Sequence, residues 1–506
     1  MPEPQGLPAS PTCTNTDSPH PNAQIKALRA AKGRMRRRYF SLFLLVAACV
    51  CFGGLRWMSA VESSAAQRRP ANRPAAATAP QVPFPDFGFL PPPDTYKGAV
   101  FKLSQDYPTT RPPASRLPDF LKIDFRQDWR GYMMAARRYC FEGNVEVDWR
   151  VENNRVRRWY HMPWQHYGAF GREGIHGLTK EAPVAVKQLS DRQTYANAVT
   201  WAVGFFNEQG GYGIGQVWRD RLNPDLARLR GGFPDGTVIC KPLFVSLPAD
   251  QVAQQVPSLV NPVQWDAYIT PSFQSSDRSV GKVTLIQMDV AVRDPRSPLG
   301  WLFGTFQYNG KMNERQRWDN LVPVGLMWGN DPDNNEKAAP NIPPSKTIIN
   351  AALKETVINP DTNELPPTHL GWNGRLNGPV DNAMSSCMSC HMTAEYPKLS
   401  DITPFFDKRN PPEGSPTWML WFRDINCGVP FDQGATSADY SLQLAISIQN
   451  FESWRDTQAG LFASQYPTSA TRGGLPQTRG VPLKVQGARQ PAKRDVYPIV
   501  RDKVEQ

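Results

Sequence analysis

The pentapeptide Cys387-Met388-Ser389-Cys390-His391 has the clearest chemical meaning of any segment in the sequence. Two thiols separated by two residues and followed by a histidine form the C-x-x-C-H spacing of covalent haem c attachment. The thiols of Cys387 and Cys390 would form thioethers with the two porphyrin vinyl groups, and His391 would bind the iron. With 8 Cys and 6 His in 506 residues, the pattern arises by chance in about one such sequence in a thousand. The sequence therefore predicts one covalent haem c.

Other uses of paired cysteines fit this segment less well. A zinc knuckle needs four nitrogen or sulfur ligands, and the sequence has no second C-x-x-C. A thioredoxin-like pair opens a helix that follows a strand, whereas the polar segment 381–386 precedes Cys387. A disulfide across two intervening residues would be strained.

The second axial ligand of the iron is open between three possibilities. Met419 lies 28 residues beyond His391 and is the first candidate, because its thioether is a common distal ligand. His369, upstream of the motif, is the second. A free sixth position is the third, and it would admit peroxide or gases.

A further concentration of histidines lies between Trp159 and Gly177. Neutral imidazoles can bind a metal or ligate a haem, but the spacing lacks the H-E-x-x-H pattern. The surrounding Trp and Tyr residues are typical of a packed β surface, so we expect structural roles, with ligation as the alternative. The cluster consists of His161, His166 and His176.

The segment Gly371-Trp372-Asn373-Gly374-Arg375, followed by Cys387–His391, resembles the haem-binding start of a single-haem cytochrome c domain. The expected globular body, roughly residues 119–460, resembles exported proteins described as cytochrome c domain-containing, and the specific resemblance covers about residues 371–430. The resemblance implies thioethers at Cys387 and Cys390 and proximal ligation by His391. It also implies a low-spin haem for electron transfer when a second ligand, commonly Met, is present.

One stretch departs from the cytochrome c pattern, in which a C-terminal helix packs on the first helix. Tyr440, Leu442, Leu444, Ile446 and Ile448 alternate with small or polar residues. On a strand all five share one face, so the alternation favours a strand, with a helix as the alternative. The haem segment is then expected to be an excursion from a β core.

An uncharged apolar run, Tyr39–Leu55, follows Arg36-Arg37-Arg38. Its 17 residues are the short end of a membrane span, and the positive flank is expected to stay in the cytoplasm. We therefore expect the folded part in the bacterial periplasm, tethered to the inner membrane. Because +5 of the net charge of +11 lies in residues 1–38, the charge indicates topology and not nucleic-acid binding. The alternatives are signal cleavage near Ala60 or Ala66 and a lipoprotein anchored at Cys49.

The expected fold class is mainly β, a β-sandwich-like core with a few helices that carries a small haem c-binding, cytochrome c-like segment. A single N-terminal membrane helix precedes it. The segments are 1–38 (disordered, cytoplasmic), 39–58 (membrane or signal anchor), 59–118 (Pro-rich linker), 119–365 (β-rich domain), 366–460 (haem c-binding region) and 461–506 (disordered tail).

Hydrophobic periodicity predicts the individual elements. Strands are expected over Val145–Val151, Arg155–Tyr160, Val238–Val245, Val283–Val292, Trp301–Tyr308 and Leu321–Trp328. Helices are expected over Arg192–Asn207, part of 249–256 and Ser345–Thr356. Of the cysteines outside the apolar run and the motif, one disulfide and one free thiol are expected among Cys140, Cys240 and Cys427, with the pairing open.

The expected function is electron transfer by a membrane-tethered, exported cytochrome with one haem c, whose partner is a periplasmic redox protein. One alternative is a haem-dependent oxidoreductase of peroxidase or oxidase type, with its substrate held near the haem by the β-rich domain. Another is a haem-based sensor or binding protein. The sequence assigns no catalytic residue.

Overall fold

The computed structural model describes residues 84–86, 88–168, 170–229, 231–335, 347–404 and 411–465. The expected membrane helix at Tyr39–Leu55, residues 59–83 and 87 of the linker and residues 466–506 of the tail lie outside these ranges. Within the described ranges, no helix is both long enough and apolar enough to cross a membrane.

Nine antiparallel strands form one sheet in the described residues, and two short strands form a separate ribbon, β10–β11. The path across the sheet is β1-β2-β4-β6-β7-β8-β9, with β3 paired to β4 and β5 paired to β6. The strands are β1 (Thr179–Pro183), β2 (Val199–Ala202), β3 (Phe205–Phe206), β4 (Val238–Val245), β5 (Gln264–Ile269), β6 (Ser279–Arg293), β7 (Trp301–Tyr308), β8 (Leu321–Met327), β9 (Thr356–Ile358), β10 (Glu395–Tyr396) and β11 (Thr436–Ser437).

The helices flank this sheet or connect its strands. The α-helices are α1 (Trp129–Phe141), α2 (Glu208–Val217), α3 (Val252–Gln255), α4 (Cys387–His391) and α5 (Leu442–Gln465). Short 3-10 helices span Ala114–Arg116, Asp119–Lys122, Val145–Val147, Val151–Asn153, Leu226–Leu229, Gly310–Met312, Arg317–Asn320, Trp372–Gly374 and Trp418–Phe422.

One face of the sheet is apolar and is covered by α1. Met288, Val290 and Val292 of β6 belong to one hydrophobic cluster with the buried residues of α1. Side chains alternate along a strand, so every second residue of β6 points to this face. Gly304 of β7 allows the close approach of α1, because a Cβ there would collide with the sulfur of Met133.

Helix α1 is positioned by its cap and by a disulfide. The side chain of Asp128 accepts a hydrogen bond from the backbone N–H of Gly131 at 2.8 Å and so caps the first turn. Near the C-terminal end, Cys140 forms a disulfide with Cys240 of β4. Cys427 is a free thiol. The expected combination of one disulfide and one free thiol is thus found, and the pairing that the sequence left open is Cys140–Cys240.

The opposite face of the sheet packs against the segment that contains the C-x-x-C-H motif. Ala291 of β6 and Phe303 of β7 share a hydrophobic cluster with Cys387, Met388 and Leu444. The motif segment and the central sheet therefore share one core.

The mainly β class is confirmed, but the described residues form one large sheet that is covered on both faces, and besides it only the short ribbon β10–β11 is present, so the expected sandwich of two packed sheets is not found there. The strands expected at Val238–Val245 and Trp301–Tyr308 have those bounds, and those expected at Val283–Val292 and Leu321–Trp328 are present as β6 and β8. The short helix expected within 249–256 is α3. The four strand segments are mostly apolar and lie in the core, where burial reinforces the local pattern.

Four expected elements are wrong. The strand at Val145–Val151 is replaced by two 3-10 helices, because Asp148 and Trp149 adopt positive φ angles of 53° and 55° that break an extended chain. In the expected strand Arg155–Tyr160, Tyr160 forms an isolated bridge to Phe206 and no strand is present. The helix at Arg192–Asn207 is replaced by β2 and β3, which pair with β4. The helix at Ser345–Thr356 is absent from the described residues 347–356, where Asp331 accepts hydrogen bonds from the backbone N–H groups of 354 and 355.

The strand favoured for Tyr440–Ile448 is also wrong, because this stretch opens α5. Leu444 and Ile448 are buried against the sheet-side cluster. Leu442 and Ile446 instead line a small surface pocket together with Ile402. Because two different sides of this helix carry apolar residues, its sequence shows the same apolar alternation as a strand.

We expect the double variant Cys140→Ser/Cys240→Ser to lower the free energy of unfolding by about 2–5 kcal/mol, because the disulfide closes a long loop in the unfolded chain. The two cysteines are 100 residues apart. Urea denaturation monitored by circular dichroism measures this. Cys427→Ser is the matched control, with an expected change below about 1 kcal/mol. Equal effects of the two changes would contradict the prediction.

Candidate functional site

Helix α4 carries the C-x-x-C-H motif and is fixed by a capping box. Ser386 accepts a hydrogen bond from the backbone N–H of Ser389 at 3.0 Å, and the hydroxyl of Ser389 accepts one from the N–H of Ser386 at 2.7 Å. This reciprocal pair of hydrogen bonds satisfies two backbone N–H groups at the start of α4 and so stabilises a short helix. The backbone N–H of Cys387 donates to the carbonyl of Leu376 at 3.0 Å, which joins α4 to the preceding loop.

The loop before α4 is held by the buried guanidinium of Arg375. Its Nε donates to the carbonyl of Asn330 at 2.6 Å, and its Nη2 donates to the carbonyls of Asp331 and Asn334 at 2.7 and 2.8 Å. The guanidinium carbon also lies 4.9 Å from the ring centroid of Trp372. Burial lowers the pKa of Arg375 to about 10, so it stays charged at neutral pH. This one side chain links the motif loop to the segment after β8.

We expect Arg375→Met to lower the free energy of unfolding by about 3 kcal/mol, because several buried carbonyls lose their donor. Arg375→Lys should recover little of the loss, since an ammonium does not reproduce the planar fork. Urea denaturation measures both. The control Arg315→Met removes an exposed guanidinium and should change stability by less than about 0.5 kcal/mol. A comparable effect of the two Met variants would refute this role of Arg375.

The two thiols of the motif lie on one helical turn and are enclosed by protein. The sulfur of Cys387 lies 3.7 Å from the hydroxyl of Thr305 and 3.9 Å from the side-chain oxygen of Asn377. Burial raises the pKa of Cys387 well above its usual value and that of Cys390 to about 12. Both groups are therefore protonated thiols at neutral pH.

The imidazole of His391 is oriented by a backbone carbonyl. Its Nδ1 lies 2.8 Å from the carbonyl oxygen of Tyr440, and since a carbonyl only accepts, Nδ1 carries the proton. Burial lowers the pKa of His391 to about 4, so the ring is neutral with an unprotonated Nε2. Histidine ligands of metals have this tautomer and this type of orienting hydrogen bond. The ring packs 4.7 Å from that of Phe303, measured between centroids.

A group of charged side chains lies beside α4 on the sheet face that the motif covers. We name it the charged recess, because its members are deeply surrounded by protein and yet keep some accessible surface. The ammonium of Lys241 pairs with Glu181 at 3.0 Å. Burial disfavours the charged ammonium, but the nearby carboxylates outweigh this and raise the pKa of Lys241. The recess consists of Glu181, Lys241, Asp289 and Asp381.

Gln287 joins the two aspartates of the charged recess. Its Nε2 donates to Asp289 at 2.9 Å and to Asp381 at 2.9 Å. Its Oε1 accepts from the backbone N–H of Val380 at 3.2 Å. The hydroxyl of Thr305, which contacts the sulfur of Cys387, donates to Asp289 at 3.0 Å. The recess and the first thiol of the motif therefore belong to one polar network.

The two sequence candidates for a second iron ligand lie in different surroundings. Met419 lies on the 3-10 helix Trp418–Phe422 and packs on the cluster of Trp372, Trp418 and Phe422. His369 contacts the carbonyl of Asp381 through Nε2 at 3.1 Å. His369 would have to give up this contact before it could bind an iron through Nε2.

The histidines between Trp159 and Gly177 have structural surroundings, as expected. Nδ1 of His161 accepts from the backbone N–H of Ser104 at 3.0 Å, and burial lowers the pKa of His161 to about 3. His176 stacks on Trp265 with 4.4 Å between ring centroids. His166 packs beside Trp164. Among the described residues, no group of three or more His, Cys, Asp or Glu side chains is arranged to hold a metal ion.

The motif residues fit a covalently attached haem by the chemistry of the donor set. Two thiols and an imidazole with an available Nε2 occur on one short helix, as attachment through vinyl groups and iron requires. No protein-family model matches the chain, and comparisons with curated proteins and with solved structures found no match. The charged recess was not predicted from the sequence, although Lys241 interrupts the otherwise apolar β4 and Asp289 lies in the mostly apolar stretch Val283–Val292, which was a usable signal.

Proposed function

We propose that this chain is an exported c-type cytochrome that carries one covalent haem c and transfers electrons. The observation that carries the proposal is the hydrogen bond between Nδ1 of His391 and the carbonyl of Tyr440. It leaves Nε2 as the donor atom of a neutral imidazole, in register with two thiols on the same helix. In this proposal Cys387 and Cys390 hold the porphyrin and His391 is the proximal ligand.

The state of the thiols supports haem attachment over a dithiol redox role. A redox-active C-x-x-C pair depends on a thiolate with a lowered pKa. Here burial raises the pKa of both Cys387 and Cys390. When bound, the haem would supply one-electron cycling of its iron. The chain contributes the orientation of His391 and an apolar wall at Phe303 that keeps water from the imidazole.

The disulfide Cys140–Cys240 supports export, because stable disulfides are typical of oxidising compartments. Tyr39–Leu55 is then the tether to the inner membrane of a bacterium, with a lipid anchor at Cys49 or a cleaved signal as alternatives. A periplasmic redox protein is the proposed partner.

We expect the exported protein to keep a haem after denaturation, detected by peroxidase staining of a denaturing gel. Cys387→Ala/Cys390→Ala should abolish the stain, because both thioether positions are lost. Cys427→Ala, which removes the other described free thiol, should leave it intact. An unstained wild-type band from cells with a working haem-attachment system would refute the proposal.

A second candidate, a haem-dependent oxidoreductase, is favoured by the charged recess next to the motif, since charged groups beside a haem can exchange protons with a bound substrate. The two candidates differ at the sixth coordination position of the iron. An electron carrier has both axial positions filled, whereas an oxidoreductase leaves one open.

We expect the reduced wild-type protein to be low-spin and not to bind carbon monoxide, because Met419 fills the sixth position. Met419→Ala should lose the thioether-to-iron charge-transfer band and bind carbon monoxide, as recorded by absorption spectroscopy. Met384→Ala is the matched control, since Met384 packs on the same aromatic cluster. Carbon monoxide binding by the wild type would favour the oxidoreductase, and loss of the band only in the Met384 variant would exclude Met419 as the ligand.

A further inference from the structure

We propose that the carboxyl pair Asp289–Asp381 is a proton-binding site whose occupancy is coupled to the redox state of the haem. This inference rests on the proposed function, because it requires a haem at Cys387, Cys390 and His391. It adds a role that the motif does not contain, namely the uptake of one proton with the electron.

A short chain of contacts connects the pair to the attachment point. The hydroxyl of Thr305 lies 3.0 Å from Oδ1 of Asp289 and 3.7 Å from the sulfur of Cys387. A porphyrin bonded to that sulfur would therefore lie within reach of the electrostatic field of the pair. In a surrounding of low dielectric constant, a charge on the pair and a charge on the iron of such a porphyrin would interact strongly.

The charges in the charged recess are unbalanced. Glu181, Asp289 and Asp381 supply three carboxyl groups, and Lys241 is the cation that faces them. Lys241 already pairs with Glu181 at 3.0 Å, so the two aspartates share the amide of Gln287. A proton on the pair reduces this excess negative charge.

The groups that face the pair come from each element packed against it. They are Lys241 of β4, Gln287 of β6, Thr305 of β7, His369 in the loop after β9, and Cys387 and Cys390 of α4. Glu181 of β1 and His391 of α4 interact in turn with Lys241. Only Lys241 is cationic at neutral pH, because burial lowers the pKa of both His369 and His391. The surroundings therefore favour retention of a proton by one aspartate.

Asp289 of the pair titrates near neutral pH. Burial, and then the charge of Asp381, raise the pKa of Asp289 to about 7. Burial also raises the pKa of Asp381. Both aspartates keep partly accessible surface, so a proton can exchange with solvent without unfolding.

Reduction of the haem and binding of a proton by the pair should favour each other. An electron delivered by the redox partner protein would add negative charge at a bound haem near the pair, which would favour binding of one proton from water at a carboxylate oxygen. Charge is balanced, since one electron and one proton enter together and no bond of the haem is broken. Between the pKa values of the pair in the oxidised and reduced states, the midpoint potential should fall by up to about 59 mV per pH unit, the value for a tenfold change in a one-electron couple.

The test is the midpoint potential of the haem-loaded protein from pH 5 to 9, measured by spectroelectrochemistry. We expect the wild type to show a pH-dependent region near neutral pH. Asp289→Asn should remove it and hold the potential near the wild-type value at low pH, because the amide is neutral at every pH. The control Asp266→Asn removes a carboxylate of β5 that pairs with Lys282 at 2.8 Å, and it should keep the wild-type slope.

A measurement on the wild type complements the variants, in case Asp289→Asn does not fold. Infrared difference spectra between the reduced and oxidised protein should show a protonated carboxyl band that appears on reduction. A flat potential across the pH range, or a slope that persists in Asp289→Asn, overturns the inference while the haem proposal stands. Absence of the stainable haem instead overturns the proposed function, so the two failures are distinguishable.

Discussion

The alternation of side chains along β6 is the constraint on which the rest of the structure depends. Met288, Val290 and Val292 face α1, whereas Gln287 and Asp289, at the alternate positions, face the motif. A register shift of one residue would exchange the two sets and bury a carboxylate against α1. The disulfide joins α1 to β4, which neighbours β6 in the sheet, and so helps to fix α1 on this face. The polar character of the motif-facing side therefore follows from the apolar character of the other.

Burying polar groups on a sheet face is unfavourable unless they are hydrogen-bonded. Gln287 meets this requirement by donating to two carboxylates and accepting from a backbone N–H of the motif loop. Arg375 does the same for carbonyls at the other end of that loop. The motif thus rests on the sheet through polar contacts as well as hydrophobic ones, and both kinds have to form together.

The sequence contained enough information for the central strands and for the motif, because each is encoded locally. Strand β7 is an uninterrupted buried run, and Cys387–His391 is defined by five adjacent residues. The conformation at Asp148 and the helix after Tyr440 depended on tertiary packing, which outweighed an alternating pattern. Lys241 lies on β4 and Asp381 in the loop before α4, so they meet only because that loop packs on the sheet. Local patterns can mark a charge within an apolar strand, but they do not reveal its partners.

The enclosure of Cys387 and Cys390 limits how fast their thiols can react with a disulfide. Disulfide exchange proceeds through a thiolate, and a thiol with a raised pKa provides few of them. In the folded chain these two sulfurs are therefore slow to exchange with the disulfide Cys140–Cys240, which belongs to a different hydrophobic cluster from Cys387. The fold thereby separates two sulfur chemistries kinetically. Cys140 and Cys240 are oxidised to a disulfide, and Cys387 and Cys390 remain as thiols.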